Sequence, residues 1–119
     1  MDLKVEDEIN LRKQNFSFLG QNDSFVGDLS LNNETFICSK VDGSINLKST
    51  NRLVIEPSGH ILGKVNCHLL EIYGQIEGEI VANSKVILYP SAVVKGSIKT
   101  KTLEIHPGAI LEGDSHTIQ

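Results

Sequence analysis

The side chains in this sequence that could bind a metal ion or transfer a proton are four histidines and two cysteines. Zinc sites draw their ligands from closely spaced pairs of such residues. Cys38 and Cys67 stand alone, and the histidines follow no ligand spacing. The sequence therefore predicts no metal site. The histidines are His60, His68, His106 and His116.

Motifs for catalysis or cofactor binding are also missing from the sequence. A phosphate-binding loop places glycines ahead of a helix, and no segment here has helical periodicity. The nucleophilic serine of many hydrolases lies in a Gly-x-Ser-x-Gly turn, which this chain lacks. We predict no catalytic residue, no cofactor and no enzymatic activity.

The composition excludes several other classes of protein. The chain has 119 residues and a net charge of −4, which argues against a nucleic-acid binder because such a protein needs a basic surface. No apolar run approaches the ~18 residues that span a bilayer. Residues 1–8 contain no apolar stretch of signal-peptide length, and two isolated cysteines fit a reducing compartment. We expect one cytoplasmic domain.

A repeat of 16 to 17 residues runs through the chain and sets the positions of all these side chains. Its clearest copies begin at Leu53, Leu70, Val86 and Leu103. Within each copy, apolar residues alternate with other residues, which is typical of β-strands rather than helices. Fixed-period repeats of this kind indicate a stacked architecture.

A glycine recurs in the copies, with an apolar residue two positions before it and two positions after it. Ile61 and Val65 flank Gly63 in this way. Alternation then places the glycine on the same face as its apolar flanks. We expect each glycine to leave room where a wall bends close to its own core. The predicted core glycines are Gly27, Gly43, Gly63, Gly78, Gly96 and Gly113.

A short repeat of two or three strands can bury its apolar side only by closing as one turn of a solenoid, in which each turn hydrogen-bonds to the next. We predict an all-β chain, a single β-helix of about six coils, with no helix. The domain covers residues 16–119, and residues 1–15 form a flexible polar tail.

One outward column of the predicted solenoid holds Tyr73, Tyr89 and His106, in adjacent turns. Two interpretations stay open. The simpler one is a cross-turn aromatic contact that stabilises the wall. The other is a stripe that binds a partner protein.

The two ends of the solenoid determine its function, because each terminal turn presents an unpaired strand edge and an open core. The last turn keeps an apolar pattern, and only six residues follow Gly113, too few for a cap helix of ordinary length. We expect this end to bind another copy of the chain. The first turn holds a phenylalanine cluster that is either a cap or a second joining surface. The predicted polymerisation interface is Phe16, Phe18, Phe25, Ile110, Leu111 and Ile118.

Joining at both ends gives a filament, and joining at one end gives a dimer.

The order and spacing of these turns resemble the bactofilins, which are polymer-forming cytoskeletal proteins of bacteria. The similarity runs from about Phe18 to Ile118 and rests on short segments around the recurring glycines. These are Phe25-Val26-Gly27-Asp28-Leu29, Val41-Asp42-Gly43-Ser44-Ile45, Ile76-Glu77-Gly78-Glu79-Ile80 and Gly108-Ala109-Ile110-Leu111-Glu112-Gly113.

The resemblance implies a right-handed, three-sided β-helix that polymerises without nucleotide, head to head and tail to tail. It also implies a scaffold for cell shape or the cell-wall machinery, with morphogenesis proteins as partners, at the inner face of the cytoplasmic membrane. Family members carry an aromatic residue in the last turn that is important for polymerisation, and Leu111 occupies that place here. Many members touch the membrane with a tail. Here the tail has Leu3, Val5, Ile9 and Leu11 among acidic residues.

Two other functions fit the sequence less well than a structural polymer. Hexapeptide-repeat acyltransferases also form triangular β-helices, but these are left-handed with coils of constant length, whereas two turns here are shorter. No histidine is placed to act as their catalytic base. An ice-binding or adhesive solenoid needs a regular threonine column, and the threonines here do not form one.

Overall fold

The computed structural model describes residues 16–19 and 24–118, and every regular element in them is a β-strand. The tail predicted for residues 1–15 lies outside this part of the chain. No helix occurs in the described residues, as the alternation predicted. The strands are β1 (Phe16–Leu19), β2 (Ser24–Leu31), β3 (Glu34–Ile37), β4 (Lys40–Leu47), β5 (Arg52–Ile55), β6 (His60–Ile72), β7 (Gln75–Leu88), β8 (Val93–Ile105) and β9 (Ile110–Thr117).

All strand pairs are parallel and join each turn to the next, which makes a β-solenoid of about six turns. One ladder of strands runs from β2 through β4, β6, β7 and β8 to β9. The other runs from β1 through β3 and β5 to the second halves of β6, β7 and β8. A recurring glycine divides the first ladder into two walls, and the second ladder makes the third wall.

The core consists of aliphatic side chains stacked in columns from turn to turn. One column reads Val41, Ile61, Ile76 and Val94, which are register partners and fully buried. Burying a side chain of this size contributes roughly 1.5 to 3 kcal/mol relative to leaving it in water. Because the columns repeat at every turn, the solenoid is stabilised along its whole length rather than at one centre.

The six recurring glycines have φ values between +132° and +149°, a region that residues with a side chain rarely adopt. From the second glycine onward, a Cβ would also lie 1.7 to 1.9 Å from the carbonyl oxygen of the glycine one turn earlier. The space that each of these glycines leaves is therefore taken by the backbone of the preceding turn, along the axis of the rod, and not by the core side chains.

Three of the corners after the third wall are β-turns with proline at their second position, at Pro57, Pro90 and Pro107. In two of them the backbone N–H of Ala92 donates to Tyr89 O at 2.8 Å, and that of Ala109 donates to His106 O at 3.1 Å. Proline fits this position because its fixed φ matches the turn and no N–H is needed there. These corners hold Tyr89 and His106 at equivalent points of adjacent turns.

Candidate functional site

The C-terminal end of the solenoid is formed by β9 on two walls and by the second half of β8 on the third. Within the described part of the chain, β9 pairs only with β8, and no strand pairs with the outer edge of either segment. Strand edges of this kind carry unpaired N–H and C=O groups and are templates for another strand.

Within the described residues, nothing covers the core columns at the C-terminal end of the solenoid. Ile105 continues the column of Leu88 and Ile72, which are fully buried, yet Ile105 is 47% exposed. Leu103 and Leu111 continue two other buried columns and are only partly buried. These three aliphatic side chains, which we call the terminal apolar patch, are inward-facing residues of the last turn that the structure describes.

The predicted interface residues at this end lie in different places. Leu111 faces inward beside the buried Val94. Ile110 pairs with Val93 in an outward column, so its 47% exposure belongs to the side of the rod. Ile118 is half-buried, and its backbone N–H donates to Thr100 O at 3.0 Å.

Sequence reasoning missed Leu103 and Ile105 as end residues. The available signal was the repeat itself, because they occupy the positions that Val86 and Leu88 hold one turn earlier.

The third part of the terminal rung is polar. Ser115 continues the column of the buried Ile98, and Thr117 continues that of Thr100. The C-terminal end is thus apolar at the terminal apolar patch. On the wall formed by the second half of β9, it presents polar side chains that can form hydrogen bonds.

The N-terminal end has a different composition. Phe25, Leu29 and Leu31 of β2 are half-buried and pack against the core. Val26, on the outer side of the same strand, is 81% exposed. The backbone of β1 pairs with β3, while the predicted side-chain roles of residues 16 and 18 lie outside what the structure describes.

Along one corner, Tyr73, Tyr89 and His106 form a continuous ring stack. The first two ring centroids are 4.3 Å apart with the rings 3° from parallel, and the last two are 5.1 Å apart at 12°. The stacked faces contact each other, so the stack offers ring edges along the rod. Within residues 24–118, no ring covers the second face of His106, which belongs to the last turn.

Charged groups surround this stack. Glu104 accepts from Lys85 at 3.0 Å and lies 2.6 Å from His106 Nε2. The Lys85 and His106 contacts hold the pKa of Glu104 below its ordinary value. Burial, the Tyr73 hydroxyl and the nearby Glu71 and Glu104 carboxylates raise the pKa of Tyr89.

The decisive comparison is with protein families. A family model described as "Bactofilin: Polymer-forming cytoskeletal" matches residues 17–116. The chain belongs to the bactofilin family. The resemblance stated from the sequence is therefore confirmed, and so is a structural filament scaffold over the acyltransferase alternative.

Two relatives support the assignment. Bactofilin BacO of Myxococcus xanthus (strain DK1622) is 34% identical over 88 residues, which are 74% of this chain and 68% of BacO. The structure of the cytoskeletal bactofilin BacA, determined by solid-state NMR, matches with a TM-score of 0.78 and 28% identity. The match covers 88% of this chain and 98% of that one, and it confirms the predicted fold class.

Few other groups in the described part of this bactofilin could bind a metal ion or react. In residues 24–118 no three His, Cys, Asp or Glu side chains come together in a way that could hold a metal ion. Burial raises the pKa of Cys67 to about 12, which leaves its thiol protonated and unreactive.

An open groove of about 250 Å³ beside Lys48 is lined mainly by asparagine and aliphatic side chains. No helix of the described residues is long and apolar enough to cross a membrane.

Proposed function

We propose that this bactofilin assembles end to end, and that the terminal apolar patch with the flanking strand edges is the joint between two copies. The observation that carries the proposal is the exposure of Ile105, which is 47%, whereas its register partner Leu88 is fully buried. A second surface that continues the column of aliphatic side chains would cover this exposed inward position.

The energetics favour such a joint. Covering Leu103, Ile105 and Leu111 removes their remaining apolar surface from water, which is worth roughly 1 kcal/mol for each half-buried side chain. Edge-to-edge hydrogen bonds add about 0.5 to 1.5 kcal/mol each. Both contributions come from the chain itself, so the joint needs no nucleotide.

The side chains at the two ends of the solenoid disfavour a joint between opposite ends. If the solenoid continued in register from one copy into the next, Asp114 would lie beside Asp28, because both belong to one column. The polar Ser115 would likewise meet Leu29. Like charges in neighbouring strands are destabilising, and a polar group against an apolar one gains nothing. Both mismatches disfavour a joint between opposite ends.

The cellular role that follows is a scaffold. A filament without nucleotide turnover provides a fixed surface on which morphogenesis or cell-wall proteins can gather, in the cytoplasm and beside the inner face of the membrane. The aromatic stack of Tyr73, Tyr89 and His106 is the proposed lateral contact for such a partner. Membrane contact would involve the tail, residues 1–15, which lie outside the described part of the chain.

Electron microscopy and sedimentation of the purified chain test this proposal. Leu111→Arg puts an unpaired charge into the joint, which costs about 3 kcal/mol, or about a hundredfold in affinity. We expect monomers or dimers with an intact fold. Leu62→Arg is the matched control, because Leu62 faces outward in a middle turn between Asp42 and Glu77. Filaments that survive Leu111→Arg unchanged would reject this placement of the joint.

A further inference from the structure

Among the described residues, a strip without any carboxylate runs along the corner between the second wall, which follows the recurring glycine, and the third wall. Its first part is the outward column of the second wall nearest that corner: Ser30, Asn46, Asn66, Val81, Lys99 and His116. The corner itself adds Asn32, Lys48, His68, Asn83 and Lys101. We call these residues the corner strip. Its charge is basic, although the chain as a whole has a net charge of −4.

The positive charge of the corner strip is not neutralised within the described residues. Lys48, Lys99 and Lys101 are exposed, and none of them forms an ion pair with another described side chain. In the neighbouring outward column of the second wall, Glu79 has Lys64 as its register partner. The three lysines are therefore available to an acidic group from outside this part of the chain.

The asparagines of the corner strip carry free amide groups. Asn46 and Asn66 are register partners in adjacent turns, and Asn83 lies in the turn that follows. Within the described residues, their side-chain amides form no hydrogen bond. Each amide has two N–H donors and one C=O acceptor. A series of such amides matches the alternating C=O and N–H groups of an extended peptide.

A groove of about 250 Å³ opens in the middle of the corner strip, lined by Asn46, Leu47, Lys48, Asn66, Cys67, Val81 and Asn83. The strand register explains its position. Residues 47–51, 67–68 and 82–84 span the corner in three successive turns. The middle span is the shortest, so it leaves a gap between two longer neighbours. The groove is open along the rod and suits an extended chain better than a compact ligand.

The chain enters the solenoid beside the corner strip. β1 begins at Phe16, whose register partner Glu34 directly follows the corner residues Asn32 and Asn33. The residues before Phe16 are therefore joined to the rod at the corner on which the strip lies. Residues 2–8 of that segment are acidic, with four carboxylates against one lysine: Asp2, Glu6, Asp7 and Glu8 against Lys4.

Residues 9–15 are long enough to connect this acidic segment to the groove. The groove lies two to four turns beyond β1, which is about 10 to 20 Å at the usual spacing of paired strands. Residues 9–15 span up to about 23 Å when extended. The acidic residues themselves then reach the fifth turn, where Lys99 and Lys101 lie.

We infer that the corner strip binds an acidic, extended peptide segment, and that its occupant is residues 2–8 of the same chain. The three lysines pair with the carboxylates, and the asparagine amides bind the peptide backbone. Each exposed ion pair is weak, but a covalently attached segment has an effective concentration of about millimolar, so weak contacts suffice.

This inference does not rest on the end-to-end joint, because the corner strip lies on the side of the rod. Its consequence concerns the tail, residues 1–15. A segment bound to the corner strip is not available for contact with a membrane, and an anionic surface would compete with it for neither the terminal apolar patch nor the strand edges.

Carbodiimide cross-linking of the full chain tests the contact, because this reagent joins a carboxylate to an adjacent lysine amine, and mass spectrometry identifies the linked residues. We expect residues 2–8 to be joined mainly to Lys48, Lys99 and Lys101. The links should disappear at about 0.5 M sodium chloride, where exposed charges are screened within a few ångströms. Lys40 and Lys95 are the internal control, because they are also exposed but lie on the first wall. Links spread evenly over all these lysines would overturn the inference.

The second measurement is the rate at which trypsin cleaves after Lys4, a bond that the bound segment shields. Combining Lys48→Gln, Lys99→Gln and Lys101→Gln should speed this cleavage by about fivefold, the effect of losing a few exposed ion pairs. Lys40→Gln combined with Lys95→Gln is the matched control and should leave the rate unchanged. Equal rates in the unaltered chain and the triple variant would contradict the inference.

Other occupants of the corner strip give different results. In a mixture of isotope-labelled and unlabelled chains, links within one chain support the inference. Links that join a labelled chain to an unlabelled one show that the strip binds a neighbouring copy, and the assignment to the same chain is then wrong. If residues 2–8 remain unlinked and unshielded, the strip serves a foreign acidic segment or none, and the inference fails.

Discussion

The carbonyl oxygen of Gly43 occupies the place where a side chain at Gly63 would begin: a Cβ built on Gly63 lies 1.7 Å from that oxygen. The same contact recurs at each later glycine of the series. A Cβ at these positions would therefore point along the rod into the backbone of the preceding turn. Glycine is needed there to avoid this clash as well as for its positive φ.

The first prediction concerns this contact. Gly63→Ala should destabilise the fold by more than about 3 kcal/mol, because the new methyl group meets backbone that cannot move aside and the φ of +143° is strained for alanine. Gly27→Ala is the control. It has a similar φ of +132°, but among the described residues its Cβ would meet only the Phe25 ring, at 3.6 Å, so we expect roughly 1 to 2 kcal/mol. Urea unfolding followed by circular dichroism measures both, and equal losses would contradict the steric argument.

The second prediction separates the inward columns from the outward ones. Ile76→Ala removes a fully buried side chain from the middle of a column and should cost about 2 to 5 kcal/mol. Ile110→Ala changes an outward residue that is 47% exposed and should cost less than about 1 kcal/mol. Thermal melts of the two variants give the comparison. A similar loss for both would mean that Ile110 is packed in the core.

Most of the fold could be predicted from the sequence because the repeat is periodic in both spacing and polarity. The copies beginning at Leu53 and Val86 predict strands whose inward positions are equivalent. The composition of the terminal rung could not be predicted as fully. Which residue ends a wall depends on how the turns stack, so the sequence analysis does not single out Ile105, which repeats Leu88. The place of Ile110 in the joint stays a prediction, although its column faces outward. The nearly parallel rings of Tyr73 and Tyr89 likewise depend on corner geometry that spacing alone does not contain.

The third prediction uses the buried thiols. Burial raises the pKa of Cys67 to about 12 and also raises that of Cys38, where the charge of Glu56 adds to the effect. At about pH 8 only about one Cys67 in ten thousand is a thiolate, the form that reacts. We expect almost no reaction with a thiol reagent in the folded protein and release of both thiols in urea. Rapid labelling before unfolding would contradict the burial of these residues.

The fourth prediction follows from the tyrosine in the centre of the ring stack. The pKa of Tyr89 is raised by burial, by the Tyr73 hydroxyl and by Glu71 and Glu104. The folded state therefore holds the phenol proton more tightly than the unfolded state, so the associated stability is fully present below the ordinary tyrosine pKa, about 10, and is lost as pH rises beyond it. Tyr89→Phe should keep the stack and reduce this alkaline loss, as measured by melting temperature against pH.

Tyr89→Ala tests the stack itself. It should destabilise the protein at every pH, by about 0.5 to 1.5 kcal/mol beyond the loss of buried area, which is the usual value of an aromatic pair. If Tyr89→Phe and Tyr89→Ala behave alike near neutral pH, the rings contribute no stacking energy.

The fifth prediction concerns Ile105, the inward residue that ends its column. Ile105→Asp places a carboxylate where the next turn would continue the aliphatic core. Because Ile105 is already 47% exposed in the single chain, the folded monomer should lose little stability. In a joint the same carboxylate would be buried among aliphatic side chains, so assembly should be lost. Analytical ultracentrifugation and a thermal melt of the same sample measure the two effects separately.

The control for this change is Ile87→Asp, which alters a half-buried residue on the outward side of the same wall, one turn earlier. It should leave assembly intact, because no joint covers that position. A loss of assembly in both variants would mean that acidic charge anywhere on this wall prevents filaments. Assembly by Ile105→Asp would show that the column of Leu88 and Ile105 does not continue into a second copy.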